Sequence, residues 1–167
     1  MAFDTPEGTR GARTPRSAGV VTRLAQRMMF RQHRRKGTFM GMDILFLNTV
    51  GKRTGQRRET AVSWFPDGDD AWLIVASAGG AAHNPAWYHN LAAHPDQVSI
   101  ELPGRRTVKV TPEQLDGERR EAAWKRITEV QPRYAKYQEK TDRKLPVIRL
   151  TADKAATAPD DEVADDA

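Results

Sequence analysis

The sequence predicts an α+β domain built on a partly open, mostly antiparallel β-barrel with flanking helices. Three observations carry that expectation. Six short β-type segments recur along the chain. Two of their connections, Pro66-Asp67-Gly68-Asp69 and Pro103-Gly104, put Pro and Gly where tight hairpins need a fixed or positive φ. Few helical stretches interrupt the strands, so the regular βαβ alternation of a parallel sheet is missing. At 167 residues the chain fits one domain that can bury a core without staples.

The elements follow in order. Residues 1–18 mix Gly, Pro, Thr, Ser and Arg with almost no apolar side chain, and are expected to form a disordered arm. Residues 19–37 place Val20, Val21, Leu24 and Met28 on one helical face, with Arg23, Arg27, Arg31, Arg34 and Arg35 spread over the rest. This basic amphipathic helix, closed by Gly37, packs on the core, lies on an anionic membrane surface or closes over a substrate. Residues 38–152 form the barrel domain, with strands expected at 43–49, 60–65, 71–76, 97–102, 105–111 and 147–150. One helix is signposted by Asn84 as N-cap, Pro85 at its first position and Pro95 just beyond its end. Another runs from about Gly117 to Val130 with Ala122, Ala123, Trp124 and Ile127 available for the core, and stops before Pro132. Residues 153–167, acidic and Ala-rich, are expected to form a disordered tail.

Charge and composition narrow the function. Five of the 22 acidic residues lie at 160–166, so residues 1–159 carry a formal charge of +10. Such a body attracts polyanions, whether nucleic acid, anionic lipid or a phosphorylated cofactor. Absence of cysteine excludes disulfides and thiolate chemistry and is compatible with a cytoplasmic address, with peripheral residence at the inner face of the membrane as an extension. No apolar run approaches the roughly 20 residues needed to cross a bilayer. His33, His83, His89 and His94 show no metal-ligand spacing, and GxGxxG, GxxxxGK[ST] and GxSxG strings are absent. No metal is expected. Nucleic acid is not expected either, because aromatic residues are not interleaved with the cations in a recognisable module. If the chain is an enzyme, a bound cofactor carries the chemistry.

Three features could hold one. Gly51-Lys52-Arg53-Thr54-Gly55-Gln56-Arg57-Arg58 places four cations, two glycines and two side-chain hydrogen bonders in one turn between apolar strands. It reads equally as a solvated hairpin turn and as an anion site, where Gly lets backbone N–H groups approach and Arg adds forked donors. Ser77-Ala78-Gly79-Gly80-Ala81-Ala82-His83-Asn84-Pro85 leaves a strand and opens into a helix; its small residues can lie flat against a planar ligand, or simply connect. Trp87, Tyr88, Tyr134 and Tyr137 could floor or roof a flat ring, although a tryptophan such as Trp87 or Trp124 more often belongs to the core.

Taken together, the turn 51–58, Phe65-Pro66-Asp67-Gly68, Ala76-Ser77 with Gly79-Gly80, Asn84-Pro85-Ala86-Trp87-Tyr88-His89-Asn90-Leu91, Tyr134, Tyr137, Thr141-Asp142-Arg143 and Leu145-Pro146 resemble the deazaflavin (F420)-dependent nitroreductase family over residues 39–152. The resemblance implies a split β-barrel that binds reduced F420. It implies that Lys52, Arg53, Thr54, Gln56 and Arg58 hold the phosphate and oligoglutamate tail. It further implies that Ala76, Ser77, Gly79 and Trp87 flank the ring, with Gly80 in the same cofactor loop. Tyr134, with Tyr137 or Ser77 beside it, is the candidate for orienting the acceptor or relaying a proton. The implied acceptors are quinones, nitroaromatics and activated enones, all small, flat and apolar. The chain departs from the nitroreductase pattern at Ala78, where that pattern has a lysine, and lacks tyrosines expected near Ser63 and Gln131. FMN in place of F420, and a carrier of F420 or lipid without turnover, are the alternatives.

Overall fold

The computed structural model describes residues 3–13, 37–39, 41–104 and 106–154. Among them eight strands form one curled antiparallel sheet: β1 (Thr38–Phe39), β2 (Met42–Val50), β3 (Arg57–Ser63), β4 (Phe65–Pro66), β5 (Ala71–Val75), β6 (Ser99–Leu102), β7 (Arg106–Gln114) and β8 (Val147–Ala152). Their order is β1-β2-β6-β7-β8-β5-β4, with β3 paired to β2. Both predicted hairpins close as expected. In one, Asp67 N–H donates to the Ala71 carbonyl at 3.1 Å; in both, the glycine takes a positive φ, 89° at Gly68 and 86° at Gly104. The basic segment 19–36 and most of the acidic tail lie outside the described residues, although Asp153 is tied to β7 by Thr111 Oγ1 at 2.6 Å.

Strand β5 shows how the layers are built. Its side chains alternate, so Trp72 and Ile74 enter the barrel interior with Leu45, Leu47, Ile100, Val110, Ile148 and Leu150. Leu73 and Val75 face the other way, into a second core with Ala123, Ile127, Tyr134 and Val147. All five residues of this strand are buried, because it has no solvent face. Helix α1 (Ala86–Ala93) packs Trp87, Tyr88 and Leu91 into the barrel interior. Helices α2 (Gly117–Val130) and α3 (Arg133–Lys140) cover the opposite face. Sequence reading missed α3, a highly charged segment that buries only Tyr134 fully. In α2 the expected core position Ala122 is exposed and Arg120 is buried instead, its guanidinium 4.6 Å from the Trp124 ring and 2.8 Å from the Leu145 carbonyl.

Residues 3–13, expected to be a disordered arm, instead lie as a strap along the body. Gly8 N–H donates to the Ala82 carbonyl and Ala12 N–H to the Gly80 carbonyl, each at 2.8 Å. Thr5 is held by Tyr88 Oη, Asn84 Nδ2 and Gln114 Nε2, and Phe3 meets Tyr88 edge to face at 5.6 Å. Composition predicted disorder because the segment has little to bury, but its anchorage is mostly backbone hydrogen bonding, which hydropathy does not register. Close approach explains its glycines: a Cβ on Gly11 would fall 2.2 Å from the Ala82 nitrogen.

Candidate cofactor site

The cationic turn joins β2 to β3 and is closed by its own backbone. Gly51 N–H donates to the Gln56 carbonyl at 2.8 Å, and Gly55, at φ 66°, donates to the Gly51 carbonyl at 2.9 Å. Gln56 N–H donates to Thr54 Oγ1 at 3.3 Å, and a Cβ on Gly51 would stand 2.6 Å from that hydroxyl. Lys52 and Arg53 are exposed on the turn itself, and Arg57 and Arg58, which open β3 opposite Val50 and Thr49, are exposed beside them. Four positive charges so close repel one another, and an anion relieves that repulsion.

One residue that sequence reading passed over sets where the turn points. Asn90 of α1, buried at 7% exposure, accepts from Lys52 N–H at 3.0 Å and donates to Thr49 Oγ1 at 3.1 Å. A polar residue beside Leu91 on a helix facing the barrel interior was the available signal.

The second element is the loop from Ala76 to Pro85. Ser77 is right-handed (φ −77°, ψ −35°), while Ala78, Gly79 and Gly80 take positive φ values of 44°, 63° and 86°. The switch from right-handed Ser77 to left-handed Ala78 is the backbone pairing that forms an N–H nest, suited to an anion or a polar ring edge. Among the described residues, the N–H groups of Ser77, Ala78 and Gly79 meet no protein acceptor, whereas Gly80 and Ala81 donate back to Ser77 and Ala78 at 2.9 and 3.1 Å. The two glycines differ in use. A Cβ on Gly79 would meet open space, while one on Gly80 would fall 2.6 Å from the Tyr137 carbonyl. Gly80 therefore lets α3 approach the loop, and Gly79 faces where a ligand can lie.

Asn84 does not cap α1 as its position predicts; Pro85 occupies the N-cap, with no side-chain cap. The Asn84 amide is engaged elsewhere, giving Nδ2–H to the Thr5 carbonyl at 3.0 Å and accepting from Arg143 at 2.7 Å.

The aromatic residues separate. Trp87 and Tyr88 belong to the barrel interior, at 7% and 1% exposure, and Tyr134 at 6% to the helical core on the other side of the sheet. Trp87 and Tyr134 therefore sit in different cores and do not face one another across a common cleft. Tyr134 meets Phe65 and Tyr137 edge to face at 5.6 and 5.7 Å. Burial pushes its hydroxyl above the usual phenol range, against a smaller opposing effect of the Ser63 side chain. Half-buried Tyr137 is the more accessible of the two, its carbonyl against Gly80 and Lys140 Nζ 5.6 Å from its ring. Ser77 is also half-buried.

A curled antiparallel barrel carrying an exposed cationic turn and a loop with unengaged N–H groups suits a flat cofactor with an anionic tail. The family profile described as F420H(2)-dependent quinone reductase matches residues 21–152, and the chain belongs to that family. Over 109 residues it is 43% identical to an F420H(2)-dependent quinone reductase of Mycobacterium tuberculosis, covering 64% of this chain and 72% of the relative. A putative F420H(2)-dependent quinone reductase of Mycobacterium bovis matches to the same extent. Among solved structures, an F420-H2 dependent reductase is 35% identical with a TM-score of 0.57, covering 64% of this chain and 92% of that one. A chain described as a domain-swapped dimer is 32% identical with a TM-score of 0.58, covering 78% and 98%.

The fold is thus the split β-barrel, the protein is an F420H2-dependent oxidoreductase, and its cofactor is coenzyme F420, which sets FMN aside. The donor set fits that cofactor: phosphate and glutamate carboxylates ask for cations, and a planar ring with polar edges asks for small residues with free N–H groups. Among the described residues no helix is long and apolar enough to cross a membrane.

Proposed function

We propose that the chain reduces a small, flat, apolar acceptor, with a quinone as the leading class and nitroaromatics and activated enones as further ones. The observation that carries this reading is the union, through α1, of an exposed four-cation turn with an open N–H nest. In it Lys52, Arg53, Thr54, Gln56 and Arg58 hold the tail. Ala76, Ser77 and Gly79 lie along the ring, while Trp87 supports that wall from the barrel interior and Gly80 from its contact with α3.

Reduced F420, when bound, would supply a hydride, and a quinone that accepts it needs one proton to become the hydroquinone. The protein aligns donor and acceptor and keeps water from the gap. Tyr137 and Ser77, both half-buried at the junction of loop and α3, orient the acceptor and hold a transferable proton. Tyr134, packed edge-on behind Tyr137, fixes its ring. The basic segment 19–37 extends this reading to peripheral membrane residence, where quinones dissolve.

The test is anaerobic mixing of the protein with reduced F420 and menadione, followed by the return of oxidised F420 absorbance. Catalysed reoxidation is expected. Binding of F420 with no turnover across quinones, nitroaromatics and enones would identify a carrier instead. The double variant Lys52→Ala/Arg58→Ala should lose about 3 to 6 kcal/mol of F420 binding, at about 1.5 to 3 kcal/mol per charge-assisted contact, and less at high salt. Unchanged affinity would move the tail site elsewhere.

A further inference from the structure

Arg143 is the least expected group in the molecule: a guanidinium at 2% exposure whose hydrogen-bond partners are all neutral oxygens. Its Nε donates to the Ala81 carbonyl at 3.2 Å. Nη1 donates to the Ala76 carbonyl at 2.9 Å and to Asn84 Oδ1 at 2.7 Å, and Nη2 to the Ser77 and Ala81 carbonyls at 3.0 and 3.1 Å. Arg has five N–H donors, and here all five are spent on one loop. None is left for a ligand. Burial depresses its pKa, against smaller opposing effects of Tyr88 and Glu7.

We propose that Arg143 is the positioning residue of the cofactor loop, holding residues 76–84 in the one conformation that turns their N–H groups toward the deazaflavin ring. The proposal rests on the reading that this loop receives the ring. Its logic is a division of the backbone. Arg143 draws the carbonyls of Ala76, Ser77 and Ala81 toward itself, so across the planar trans peptides the N–H groups of Ser77 and Ala78 point away from it, while the Gly79 N–H follows from the Ala78 carbonyl's bond with Ala81 N–H. Without that pull, a chain of small residues with three successive positive φ values has many other conformations available.

Arg143 is itself held firmly, as a positioning group must be. Its N–H donates to Thr141 Oγ1 at 3.1 Å, and its carbonyl accepts from Gln138 Nε2 of α3 at 2.7 Å. Leu145 N–H returns to Gln138 Oε1 at 2.9 Å, so α3 and the loop are registered through one residue. No lysine could substitute fully, because an ammonium has three donors diverging from one atom and must abandon some of these oxygens.

The test compares two ligands by fluorescence titration: F420 itself, and the same deazaflavin chromophore lacking its phosphate and glutamate tail. Arg143→Lys should weaken both by a similar factor of about ten or more, because only the ring end is disturbed. Lys52→Ala/Arg58→Ala should weaken F420 and spare the tail-less chromophore. Amide exchange at 77–79 should be faster in Arg143→Lys than in wild type while the sheet keeps its protection. Should Arg143→Lys not fold, Asn84→Ala removes one of the four acceptors and should weaken both ligands in parallel by a smaller factor. Affinities for both ligands within about twofold of wild type in the folded variant would overturn the positioning role. A wild-type protein in which F420 leaves exchange at 77–79 unchanged would overturn the loop assignment itself.

Discussion

Replacing Asn90 tests whether α1 aims the cationic turn. Asn90→Ala removes two hydrogen bonds, one from Lys52 N–H at 3.0 Å and one to Thr49 Oγ1 at 3.1 Å. The two orphans fare differently. Lys52 is exposed, so its N–H recovers a bond to water and the loss is the usual net of about 0.5 to 1.5 kcal/mol. Thr49, at 2% exposure, has no water to turn to, and an unsatisfied buried hydroxyl costs about 1 to 3 kcal/mol. The sum is about 2 to 4 kcal/mol of stability, which for a chain of this length lowers Tm by about 4 to 16 °C. Urea denaturation with fluorescence detection reads the first quantity and F420 titration the second, where the freed turn should bind the tail more weakly. Asn90→Asp is the control: its carboxylate still accepts from Lys52 N–H, and the Thr49 hydroxyl can donate to it. It should lose less stability than Asn90→Ala. If Asn90→Ala leaves both Tm and F420 affinity at wild-type values, the turn is not held by α1 and the coupling of the two elements is wrong.

Further outcomes follow from the same geometry. Gly80→Ala should be destabilising by about 2 kcal/mol or more, since its Cβ meets the Tyr137 carbonyl at 2.6 Å at a φ of 86°, and weaken F420 binding by pushing the loop off α3. Gly79→Ala, whose Cβ enters open space, should cost only the left-handed backbone, about 1 kcal/mol, in the same denaturation assay. Tyr137→Phe should lower kcat with menadione by roughly tenfold or more while leaving F420 affinity intact, and Tyr134→Phe should act mainly on Tm. Asp142 should titrate near 2 by carboxyl NMR, held there first by the Thr9 hydroxyl and then by Arg10 N–H. Because its folded pKa is depressed from 3.8, the stability it lends the strap is complete above that value and disappears as pH falls through about 2.

What the sequence disclosed depended on whether the information was local. Hairpins at Gly68 and Gly104 were legible because a positive φ is a property of the residue itself. Strands β2 and β5 were legible from their apolar runs, and α2 matched its predicted limits because Pro132 ends it. The cationic turn was visible for the same reason: four cations lie within seven consecutive residues. The rest depended on distant partners. Asn84 carries every local mark of an N-cap, yet a guanidinium 59 residues away and the strap carbonyl of Thr5, 79 residues away, outcompete the helix for its amide. Residues 3–13 look unstructured because their partners, Ala82 and Asp142, lie far along the chain. Arg143 and Asn90 stand inside the matched motifs, but nothing in their neighbours states that one would spend five donors on a loop and the other brace a turn.

Those two residues explain how a single short helix can build a site for a long cofactor. From Ala86 to Asn90 the α-helix rises about 6 Å, at about 1.5 Å per residue. The chain entering it is fixed two residues earlier by the Asn84–Arg143 bond, and its last turn is tied to the cationic turn through the Asn90–Lys52 bond. Between them Trp87, Tyr88 and Leu91 are sunk in the barrel interior, so α1 cannot slide or rotate without opening a cavity there. On the proposed reading the helix therefore serves as a rigid spacer between the ring-side loop and the tail-side turn. Loosening either end should weaken the cofactor at that end alone, and loosening the middle should weaken both. Leu91→Ala, which removes neither hydrogen bond but opens a cavity in the barrel interior beneath α1, should accordingly lower affinity for F420 and for its tail-less chromophore together, alongside a stability loss of about 2 to 5 kcal/mol in urea denaturation. A loss confined to the tailed ligand would mean that ring and tail sites are held independently and that α1 is no spacer.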